Sequence, residues 1–389
     1  MRVLQVHNSY RQPGGEDRVV EVERRLLEEA GHTIEHLTVT NPDSTLASIG
    51  RLAIAPWNPS AAAMVRRKTE QFRPDVIHVH NTWFSLSPSV IRAAARTGVP
   101  VVVTLHNYRS TCIESGLLRD GRPCEICVEG SVWNGVRFRC YRDSFLQSIP
   151  AAMTTSVSAR VRSDVTFYLA LTDFARDIYL RAGFEPDRVL VKPNFVDDPG
   201  ARAQPPSGSD RVLFVGRVSH QKGIDHLLRA WEIARPAGLR LTVVGDGDLR
   251  SSLESLHPQV EWLGWRGPEQ VTALLTESRA LVFPSRSYEG QSLALLEAMA
   301  AGLPIVASDW ASMRETVGPE GRFGASGDHV AWAELLTSLT DDESVDRAGV
   351  AMRQRYERLY APRRALENLE AVYRRALDIT GTTTRPAAG

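Results

Sequence analysis

Residues 280–302 decide the fold, and they read Ala280-Leu-Val-Phe-Pro-Ser-Arg-Ser-Tyr-Glu-Gly-Gln-Ser-Leu-Ala-Leu-Leu-Glu-Ala-Met-Ala-Ala-Gly302. The apolar run at the start predicts a short buried strand, and the apolar residues from Ser292 to Ala301 predict a helix. Glu289 and Glu297 lie on either side of the N-terminus of this helix. Free backbone N–H groups and the helix dipole make such an end a binding site for anions.

The two carboxylates indicate what kind of anion binds there. They would repel an anionic group that they touched. We therefore expect them to accept hydrogen bonds from hydroxyl groups at the two ends of a ligand whose centre is anionic. A nucleotide-sugar has this layout, with sugar hydroxyls, a pyrophosphate and ribose hydroxyls. The segment therefore predicts a nucleotide-sugar site.

The same alternation of strand and helix runs through the rest of the chain and predicts parallel sheets covered by helices on both faces. The predicted strands are Val3–His7, Thr33–Val39, Val76–His80, Val99–Leu105, Phe167–Leu171, Val189–Val191, Val212–Val215, Leu241–Val244, Val260–Leu263, Leu281–Phe283 and Ile305–Ala307. The helices between the first strands are predicted at Asp17–Ala30, Pro88–Thr97 and Asp173–Ala182.

A linker rich in Pro, Gly, Ser and Asp over residues 192–210 separates two such halves. The predicted fold class is α/β, with Rossmann-like, doubly wound domains at residues 1–195 and 210–360. Open parallel sheets bind ligands at the carboxyl ends of their strands, so we expect the two domains to face each other across a cleft. A helix at 361–380 is expected to pack back on the first domain.

Length and composition bound the class of protein. The 389 residues suffice for two domains, and 46 basic residues balance 46 acidic ones, so no overall field attracts nucleic acid. No apolar run reaches the roughly 18 residues of a membrane span, and the N-terminus has a strand pattern without the features of a signal peptide. We expect a cytoplasmic protein. Peripheral contact with the inner face of the membrane through clusters such as Arg66-Arg67-Lys68 is the alternative to a plain solvated surface.

Two post-strand loops of the second half carry charge and glycine. Arg217 and Lys222 lie in Gly216-Arg-Val-Ser-His-Gln-Lys-Gly223 and could neutralise a pyrophosphate, although two surface cations are the plainer interpretation. Gly245 and Gly247 permit a close backbone approach to a ligand, and Asp248 could cap the next helix. The Asp-x-Asp pattern at 246–248 is too short to predict a catalytic metal.

In the first half, Gly14 and Gly15 precede a long amphipathic helix and could approach a phosphate or an acceptor, or form a flexible turn. Their spacing is not that of a dinucleotide-binding loop, which argues against an NAD enzyme. His106 ends an apolar strand, with His78 and His80 at similar places on a neighbouring strand. His106 could be a general base, a neutral hydrogen-bond partner for a sugar hydroxyl, or a structural residue.

All four cysteines lie in one segment, residues 108–143, with the spacing C-x11-C-x2-C-x12-C formed by Cys112, Cys124, Cys127 and Cys140. The segment is rich in glycine and is expected to have little core of its own. Four thiolates with one C-x2-C pair suit a tetrahedral structural zinc ion. Two disulfides are disfavoured in a reducing cytosol; an iron–sulfur cluster and four unlinked thiols are the other interpretations.

These motifs together resemble the retaining glycosyltransferases of family 4, which have the two-domain GT-B fold. The resemblance covers nearly the whole chain and is strongest in the Glu289-x7-Glu297 frame and in Gly216-Arg217 with Lys222-Gly223. The sequence departs from many members at Gln291 and Ser292, where they have an aromatic residue and a glycine.

The resemblance implies a role for each matching residue. Arg217 and Lys222 would bind the donor pyrophosphate, Glu289 the hydroxyls of the donor sugar, and Glu297 the ribose. His106 would lie near the transferred sugar and completes the implied catalytic set. Transfer would proceed by front-face attack, without a protein nucleophile. The other implied donor contacts are Gly14, Gly15, Gly216, Gly245, Gly290, Gln291, Ser292 and Leu293.

The sequence thus predicts an enzyme that moves a sugar from a nucleotide-diphosphate donor to a hydroxyl acceptor, in the synthesis of a polysaccharide, a glycolipid or a natural-product glycoside. One alternative is a nucleotide-sugar epimerase or a phosphorylase; no lysine for the pyridoxal phosphate of a phosphorylase is evident. A second alternative is a non-catalytic protein that binds nucleotide-sugars. Such a protein need not keep His106 together with Arg217 and Lys222, so an enzyme is favoured.

Overall fold

The computed structural model describes residues 1–10, 14–41, 50, 52 and 54–381. The chain forms two compact units. The first comprises Met1–Leu117, Cys124–Pro193 and Ala365–Gly389. The second comprises Leu118–Pro123 and Asn194–Arg364.

The first unit is built on a sheet of six parallel strands. Its strands are β1 (Arg2–Ser9), β2 (Thr33–Thr40), β3 (Val76–Asn81), β4 (Val101–Leu105), β7 (Phe167–Ala170) and β8 (Val189–Val191). The order across the sheet is β2-β1-β3-β4-β7-β8. Successive strands are therefore added on one side of β1 first and on its other side from β3 onward, so the strand order reverses between β1 and β3. Strands β3 and β4 are buried along their whole length, as expected for central strands covered on both faces.

The helices of the first unit are α1 (Gly15–Glu29), α2 (Pro59–Phe72), α3 (Ser89–Ala95), α4 (Asn134–Arg137), α5 (Phe145–Arg160), α6 (Asp173–Arg181) and α14 (Pro362–Thr380), the last of which begins in the second unit. Helix α14 supplies Leu369, Tyr373 and Leu377 to a hydrophobic cluster with Val3 and Val102 of the sheet. The first and the last parts of the described chain therefore share one core.

The second unit is built on another sheet of six parallel strands. Its strands are β9 (Arg211–Val215), β10 (Arg240–Val244), β11 (Glu261–Gly264), β12 (Ala280–Phe283), β13 (Ile305–Ser308) and β14 (Arg322–Gly324). They are ordered β11-β10-β9-β12-β13-β14, with the reversal between β9 and β12. A two-stranded antiparallel hairpin, β5 (Leu118–Arg119) and β6 (Arg122–Pro123), belongs to this unit by its contacts.

The helices of the second unit are α7 (Ile224–Ala234), α8 (Arg250–Leu256), α9 (Pro268–Thr276), α10 (Leu293–Ala300), α11 (Ala311–Val317), α12 (His329–Thr337) and α13 (Asp342–Leu359). Two hydrophobic clusters pack around the sheet. One contains Leu213, Leu281 and Leu296, and the other contains Phe214, Val282 and Trp332. Neighbouring residues of β9 and β12 thus enter different clusters, because side chains alternate along a strand.

The predicted fold class is confirmed, since both halves are parallel α/β sheets of doubly wound order. Strand β14 was missed because Arg322–Gly324 has one large apolar residue and no alternation to detect. Strand β4 begins at Val101 rather than at Val99, because Pro100 lies between them. No helix in the described ranges is both long and apolar enough to cross a membrane.

Candidate active site

The topology of the second unit brings the loops after β9 and β12 together. These strands are neighbours at the point where the strand order reverses, and ligands of open parallel sheets bind at the carboxyl ends of the strands there. Arg217 and Lys222 follow β9, and Glu289 follows β12. The residues that the sequence predicts for the diphosphate and for the sugar therefore meet at one edge of the sheet.

A partly buried ion pair links the loop after β9 to the loop after β12. Lys222 Nζ lies 2.8 Å from Glu289 Oε1, with only 25% and 17% of the two side chains exposed. The hydroxyl of Ser285 donates to the same carboxylate oxygen at 2.6 Å. Lys222 Nζ also lies 5.4 Å from the centre of the Phe283 ring. Glu289 is thus held by the Lys222 ammonium and the Ser285 hydroxyl, and Lys222 is held between Glu289 and the Phe283 ring.

The loop after β12 is braced by bonds from outside it. The indole nitrogen of Trp310 donates to the carbonyl oxygen of Ser285 at 2.8 Å. The backbone N–H of Arg286 donates to the carbonyl of Gln221 at 2.9 Å. The Tyr288 and Trp310 rings meet edge to face with their centres 5.6 Å apart. These contacts hold the loop in a defined position before any ligand arrives.

Two glycines are required where backbones approach closely. A Cβ atom at Gly223, whose φ is +71°, would lie 2.0 Å from the carbonyl oxygen of Pro284. A Cβ atom at Gly245 would lie 1.9 Å from the carbonyl oxygen of Gly216. Both distances are far inside van der Waals contact, so the loops after β9, β10 and β12 can be this close only because these positions are glycine.

We expect Gly223→Ala to destabilise the protein by about 3 kcal/mol or more, since it adds a backbone clash to left-handed strain. Gly238→Ala is a matched control, because Gly238 has a φ of +73° and open space around its Cβ position. It should cost only about 1–2 kcal/mol, the strain alone. Urea unfolding of both variants measures the difference, and equal losses would contradict the packing argument.

The remaining predicted donor residues have different surroundings. Arg217 is exposed, and within the described residues its side chain makes no hydrogen bond or ion pair. Glu297, on α10, is 9% exposed. Gln291 is buried, and its side-chain oxygen accepts the backbone N–H of Asn194 at 2.7 Å. Gln291 thus contacts Asn194 with both its side chain and its backbone carbonyl, which fixes the start of the linker against this loop.

Helix α10 begins directly after this loop, at Leu293. Ser292 occupies the N-cap position but its side chain makes no capping hydrogen bond. Gly290, Gln291, Ser292 and Leu293 are four consecutive predicted contacts, and they lie at an uncapped helix end. An uncapped end offers backbone N–H groups to an anion.

The capping role expected of Asp248 is wrong. Leu249 occupies the N-cap of α8, and no side chain caps that helix. The carboxylate that binds backbone in this turn is Asp246, whose Oδ1 accepts the N–H of Gly247 at 2.8 Å. Asp248 cannot take the capping role because α8 begins at Arg250, which puts Asp248 one residue before the N-cap position.

In the first unit, His106 follows β4 and lies against His80 of β3. His106 Nε2 is 3.1 Å from His80 Nδ1, and the two rings stack with a 21° angle between them. Burial, together with His80 and Lys192, lowers the pKa of His106 well below its usual range. His106 is therefore neutral at physiological pH and can exchange hydrogen bonds with a hydroxyl group.

Behind these histidines lies a fully buried charge cluster that sequence reasoning missed. Glu23 of α1 contacts Lys192 Nζ at 2.7 Å, His78 Nδ1 at 3.0 Å and His80 Nε2 at 3.3 Å. Although burial acts to raise it, Lys192 and the two histidines hold the pKa of Glu23 well below its usual range. The glutamate lies on the apolar face of an amphipathic helix, which was the available signal.

We expect stability to fall on mild acidification because of His80. Burial, reinforced by His78, lowers the pKa of His80 to about 3, whereas an unfolded histidine titrates near 6.5. Between these values the unfolded state binds the extra proton, so the free energy of unfolding drops by up to about 1.4 kcal/mol per pH unit as pH decreases. Urea unfolding at pH 7.5, 6.5 and 5.5 checks this, and a flat profile would contradict it. His7, His78, Glu23 and His106 are the titratable groups that face His80.

In the first unit, the predicted glycine loop is hydrogen-bonded to the helix that follows it, α1. The backbone N–H of Gly14 donates to Asp17 Oδ2 at 2.8 Å, and Asp17 Oδ1 lies 2.9 Å from His7 Nε2. Gly14 and Gly15 are exposed. Next to them, Asn107 donates to Glu16 Oε1 at 2.5 Å, and burial raises the pKa of Glu16. Glu16 thus connects this loop to the residue after His106, and Asp17 connects it to His7 of β1.

A pocket of about 80 Å³ opens beside His106 in the first unit. Its lining includes His80, Asn107 and Arg109, and the Arg109 guanidinium lies 4.6 Å from the centre of the Trp83 ring. Two nitrogen atoms of Arg109, Nε and Nη1, are buried without a hydrogen-bond partner among the described residues. Two buried guanidinium nitrogens with open donor positions, beside a neutral histidine, suit a polar ligand.

The four cysteines lie in a segment with more core than its glycines suggested. Ile113, Val136 and Tyr141 form a hydrophobic cluster with Trp83 and Phe84, which corrects the expectation of little core. All four are free thiols, Cys112 and Cys127 being buried. Burial raises the pKa of the Cys127 thiol to about 12, with the charges of the other three cysteines adding to the effect.

Two family models match the chain and together span most of it. A "Glycosyl transferase 4-like domain" model matches residues 10–194, and a "Glycosyl transferases group 1" model matches residues 209–342. These ranges fall on the first and the second sheet.

Curated relatives and a solved structure point the same way. The chain is 35% identical over 132 residues to an uncharacterized glycosyltransferase of Methanocaldococcus jannaschii, a match that spans 31% of this chain and about a third (34%) of that relative. It is 26% identical over 375 residues to the phosphatidyl-myo-inositol mannosyltransferase of Mycobacterium leprae, spanning 90% and 87% of the two chains. The crystal structure of Anabaena HepE in complex with UDP superposes with a TM-score of 0.68 at 16% identity, covering 96% of this chain and 100% of that one.

Proposed function

Since this chain belongs to the glycosyltransferases and has their GT-B fold, we propose that it moves a sugar from a nucleotide-diphosphate donor to a hydroxyl acceptor with retention of the anomeric configuration. The observation that carries the proposal is the Lys222–Glu289 pair, which joins two loops at the reversal point of the second sheet. A cation for a diphosphate and a carboxylate for sugar hydroxyls are thereby fixed side by side.

Lys222 and Arg217 stabilise the leaving group in this mechanism. The bond between the anomeric carbon and the diphosphate oxygen breaks, and negative charge develops on the diphosphate beside the two cations. The uncapped N-terminus of α10 offers backbone N–H groups to the same anion. Two protein cations thus take the role that a divalent metal ion has in other transferases, and we propose no catalytic metal.

The acceptor attacks from the face that the diphosphate leaves. Its hydroxyl oxygen forms the new bond to the anomeric carbon, and its proton passes to a diphosphate oxygen. Glu289 is already held by Lys222 and Ser285, which suits a carboxylate that binds hydroxyl groups and not one that attacks carbon. Retention therefore follows from geometry and charge, without a covalent sugar–enzyme intermediate.

We assign His106 and Glu297 to positioning of the donor. A neutral His106 can bind a hydroxyl of the transferred sugar but does not need to take its proton. Glu297 would bind the ribose hydroxyls through its carboxylate. We expect both contacts to fix the donor relative to the acceptor, which is where most of the rate arises when no nucleophile is used.

The donor is identified by a screen of nucleotide-sugars. The Anabaena structure that this chain resembles holds UDP, so UDP-sugars are the first donors to test. Thermal unfolding reports binding, because a ligand bound only by the folded state raises its stability. Release of nucleoside diphosphate with and without acceptor reports transfer, and NMR of the product reports the anomer. Inversion would contradict the proposed mechanism; binding without turnover of any donor and acceptor pair would favour the non-catalytic alternative.

We further propose that the acceptor is met at a membrane surface. Six exposed large apolar side chains occur in one stretch of the first unit, 40% to 76% exposed: Ile126, Trp133, Phe138, Phe145, Leu146 and Met153. Three exposed arginines, Arg137, Arg139 and Arg142, lie among them. Helix α4, which carries Arg137, packs against α5, which carries Phe145, Leu146 and Met153. Apolar side chains beside cations are typical of proteins that lie on anionic lipid.

We propose this surface as the membrane contact in preference to the basic cluster Arg66-Arg67-Lys68, for which a plain solvated surface was the alternative. Lys68 is paired there with Glu35, and among the described residues only Ile54 and Trp57 are exposed large apolar side chains near the cluster in sequence. The similarity to an enzyme whose name specifies phosphatidyl-myo-inositol supports a lipid-linked acceptor. A soluble natural product is the competing class.

Vesicle flotation tests the lipid proposal. We expect the protein to float with vesicles containing phosphatidylglycerol and to stay behind with vesicles of phosphatidylcholine alone, because the arginines require anionic headgroups. Phe145→Ser with Leu146→Ser should abolish flotation. Leu256→Ser is the matched control, since Leu256 is 72% exposed in the second unit. Absence of the wild-type protein from anionic vesicles would contradict a lipid-surface acceptor.

A further inference from the structure

We propose that Cys112, Cys124, Cys127 and Cys140 together bind one structural zinc ion. All four are free thiols of one continuous segment, and the described chain has no other cysteine. The proposal concerns the architecture of the first unit and is independent of the sugar-transfer activity. Its basis is the arrangement of the thiols and the backbone around them.

The fold gathers the four thiols around Cys127. Cys127 lines one pocket with Thr111, the neighbour of Cys112, and Cys140 packs in the same hydrophobic cluster as Ile113, the other neighbour of Cys112. Cys124 is three positions before Cys127 in the C-x2-C pair.

The backbone between the cysteines is held in an unfavourable conformation. Six residues other than glycine have left-handed φ angles of 51° to 79° in this segment: Ser115, Leu117, Asp120, Arg139, Arg142 and Asp143. Only three other described residues of this kind occur, Arg73, Ser87 and Arg235. Regular structure here is limited to a four-residue helix and a hairpin of two-residue strands. Such a chain needs support beyond its own hydrogen bonds to stay in place.

A zinc ion bound by the four thiols would supply that support. Backbone contacts already position three of the cysteines, since Cys112, Cys124 and Cys140 donate their N–H groups to the carbonyls of Tyr108, Leu117 and Gly135 at 2.7–2.8 Å. The small hydrophobic cluster of Ile113, Val136 and Tyr141 covers one side of the segment. Cys140 packs against this cluster and is half-buried, as is Cys124, so both thiols are partly accessible to a metal from solvent.

Another constellation in the described chain has its ligand atoms closer together, within 4.8 Å, namely Glu23, His78 and His80. Lys192 Nζ already supplies a cation there, 2.7 Å from Glu23, so we assign it no metal. The four sulfur atoms are spaced more widely than this. Zinc binding would draw them to about 2.3 Å from the ion in a tetrahedron and would release the protons of the four thiols.

Metal analysis of the wild-type protein tests the proposal directly. Protein purified without chelator from zinc-supplemented medium should contain about one zinc per chain. A mercurial reagent should release this zinc in proportion to the four thiols it modifies. Zinc below about a tenth of an equivalent with four reactive thiols would overturn the proposal. Iron with inorganic sulfide, or no free thiol in denaturant without reductant, would overturn it as well.

Cobalt gives a second readout on the folded wild-type chain. Replacement of the bound metal by Co²⁺ should produce the thiolate-to-cobalt absorption of a tetrahedral sulfur site, and cobalt without this absorption would overturn the assignment. Cys124→Ser with Cys127→Ser should lose both the zinc and the cobalt signal. Ser131→Ala, an exposed change in the same segment, should keep both. Zinc retained by the double cysteine variant would show that the ligands lie elsewhere.

Discussion

Replacement of Lys222 by alanine is expected to lower turnover by about 100-fold or more, while the protein remains folded. The ammonium group is fixed 2.8 Å from Glu289 before a donor binds, so it stabilises charge on the leaving diphosphate without reorganising. Loss of one such preorganised stabiliser typically costs 10²- to 10³-fold in rate, or about 3–4 kcal/mol. The KM for the donor should change less than kcat, because the charge is greatest in the transition state.

Steady-state release of nucleoside diphosphate, together with thermal unfolding, measures this effect. Arg229→Ala is the matched control, since Arg229 is an exposed cation on the helix that follows the same loop. Arg217→Ala should behave like the Lys222 variant, since its exposed side chain is available to the donor. Near-normal turnover in both the Lys222 and Arg217 variants would remove the basis for the proposed mechanism.

Replacement of Lys192 by methionine should have the largest effect on stability, about 3–5 kcal/mol. Lys192 and Glu23 are both fully buried and lie 2.7 Å apart. Without the ammonium, the Glu23 carboxylate loses the partner that contributes most to its low pKa. A buried charge without its partner is strongly unfavourable.

The double variant Glu23→Gln with Lys192→Met separates charge from packing. It removes both charges and keeps the approximate volumes, so it should recover most of the stability lost by Lys192→Met. Urea unfolding at pH 7.5 provides the comparison, with Lys68→Met as the control, because Lys68 is in a half-exposed pair with Glu35. A double variant no more stable than Lys192→Met would show that the loss comes from packing alone.

The fold class followed from the sequence because its cause is local. Each central strand is a short apolar run and each helix has an apolar face, so periodicity alone located eleven of the strands now seen in the two sheets. The loops after β9 and β12 were equally predictable, because Arg217, Lys222 and Glu289 follow recognisable strands. The hairpin of Leu118–Pro123 was not, since two-residue strands have no measurable period.

The charge cluster behind His106 could not be predicted, because its members are distant in the sequence. Glu23 and Lys192 are 169 positions apart, and His78 meets the hydroxyl of Tyr373 across 295 positions. In the sequence, the place of Glu23 on the apolar face of α1 indicates a buried acid but does not identify its partners. Only the packing of α1 and α14 on the same sheet shows that these polar groups are buried together.

The position of α14 in the core of the first unit has a consequence for how the protein is made. The hydrophobic cover of the first sheet includes Leu369, Tyr373 and Leu377, which leave the ribosome after the whole of Asn194–Arg364. Domains usually complete folding in the order of their synthesis. Here the nascent second unit has its entire sequence available while the first still exposes the apolar surface that α14 will cover. The first unit is therefore synthesised first but completes its folding last. Until α14 packs on the first sheet, the apolar surface that it covers is accessible to chaperones.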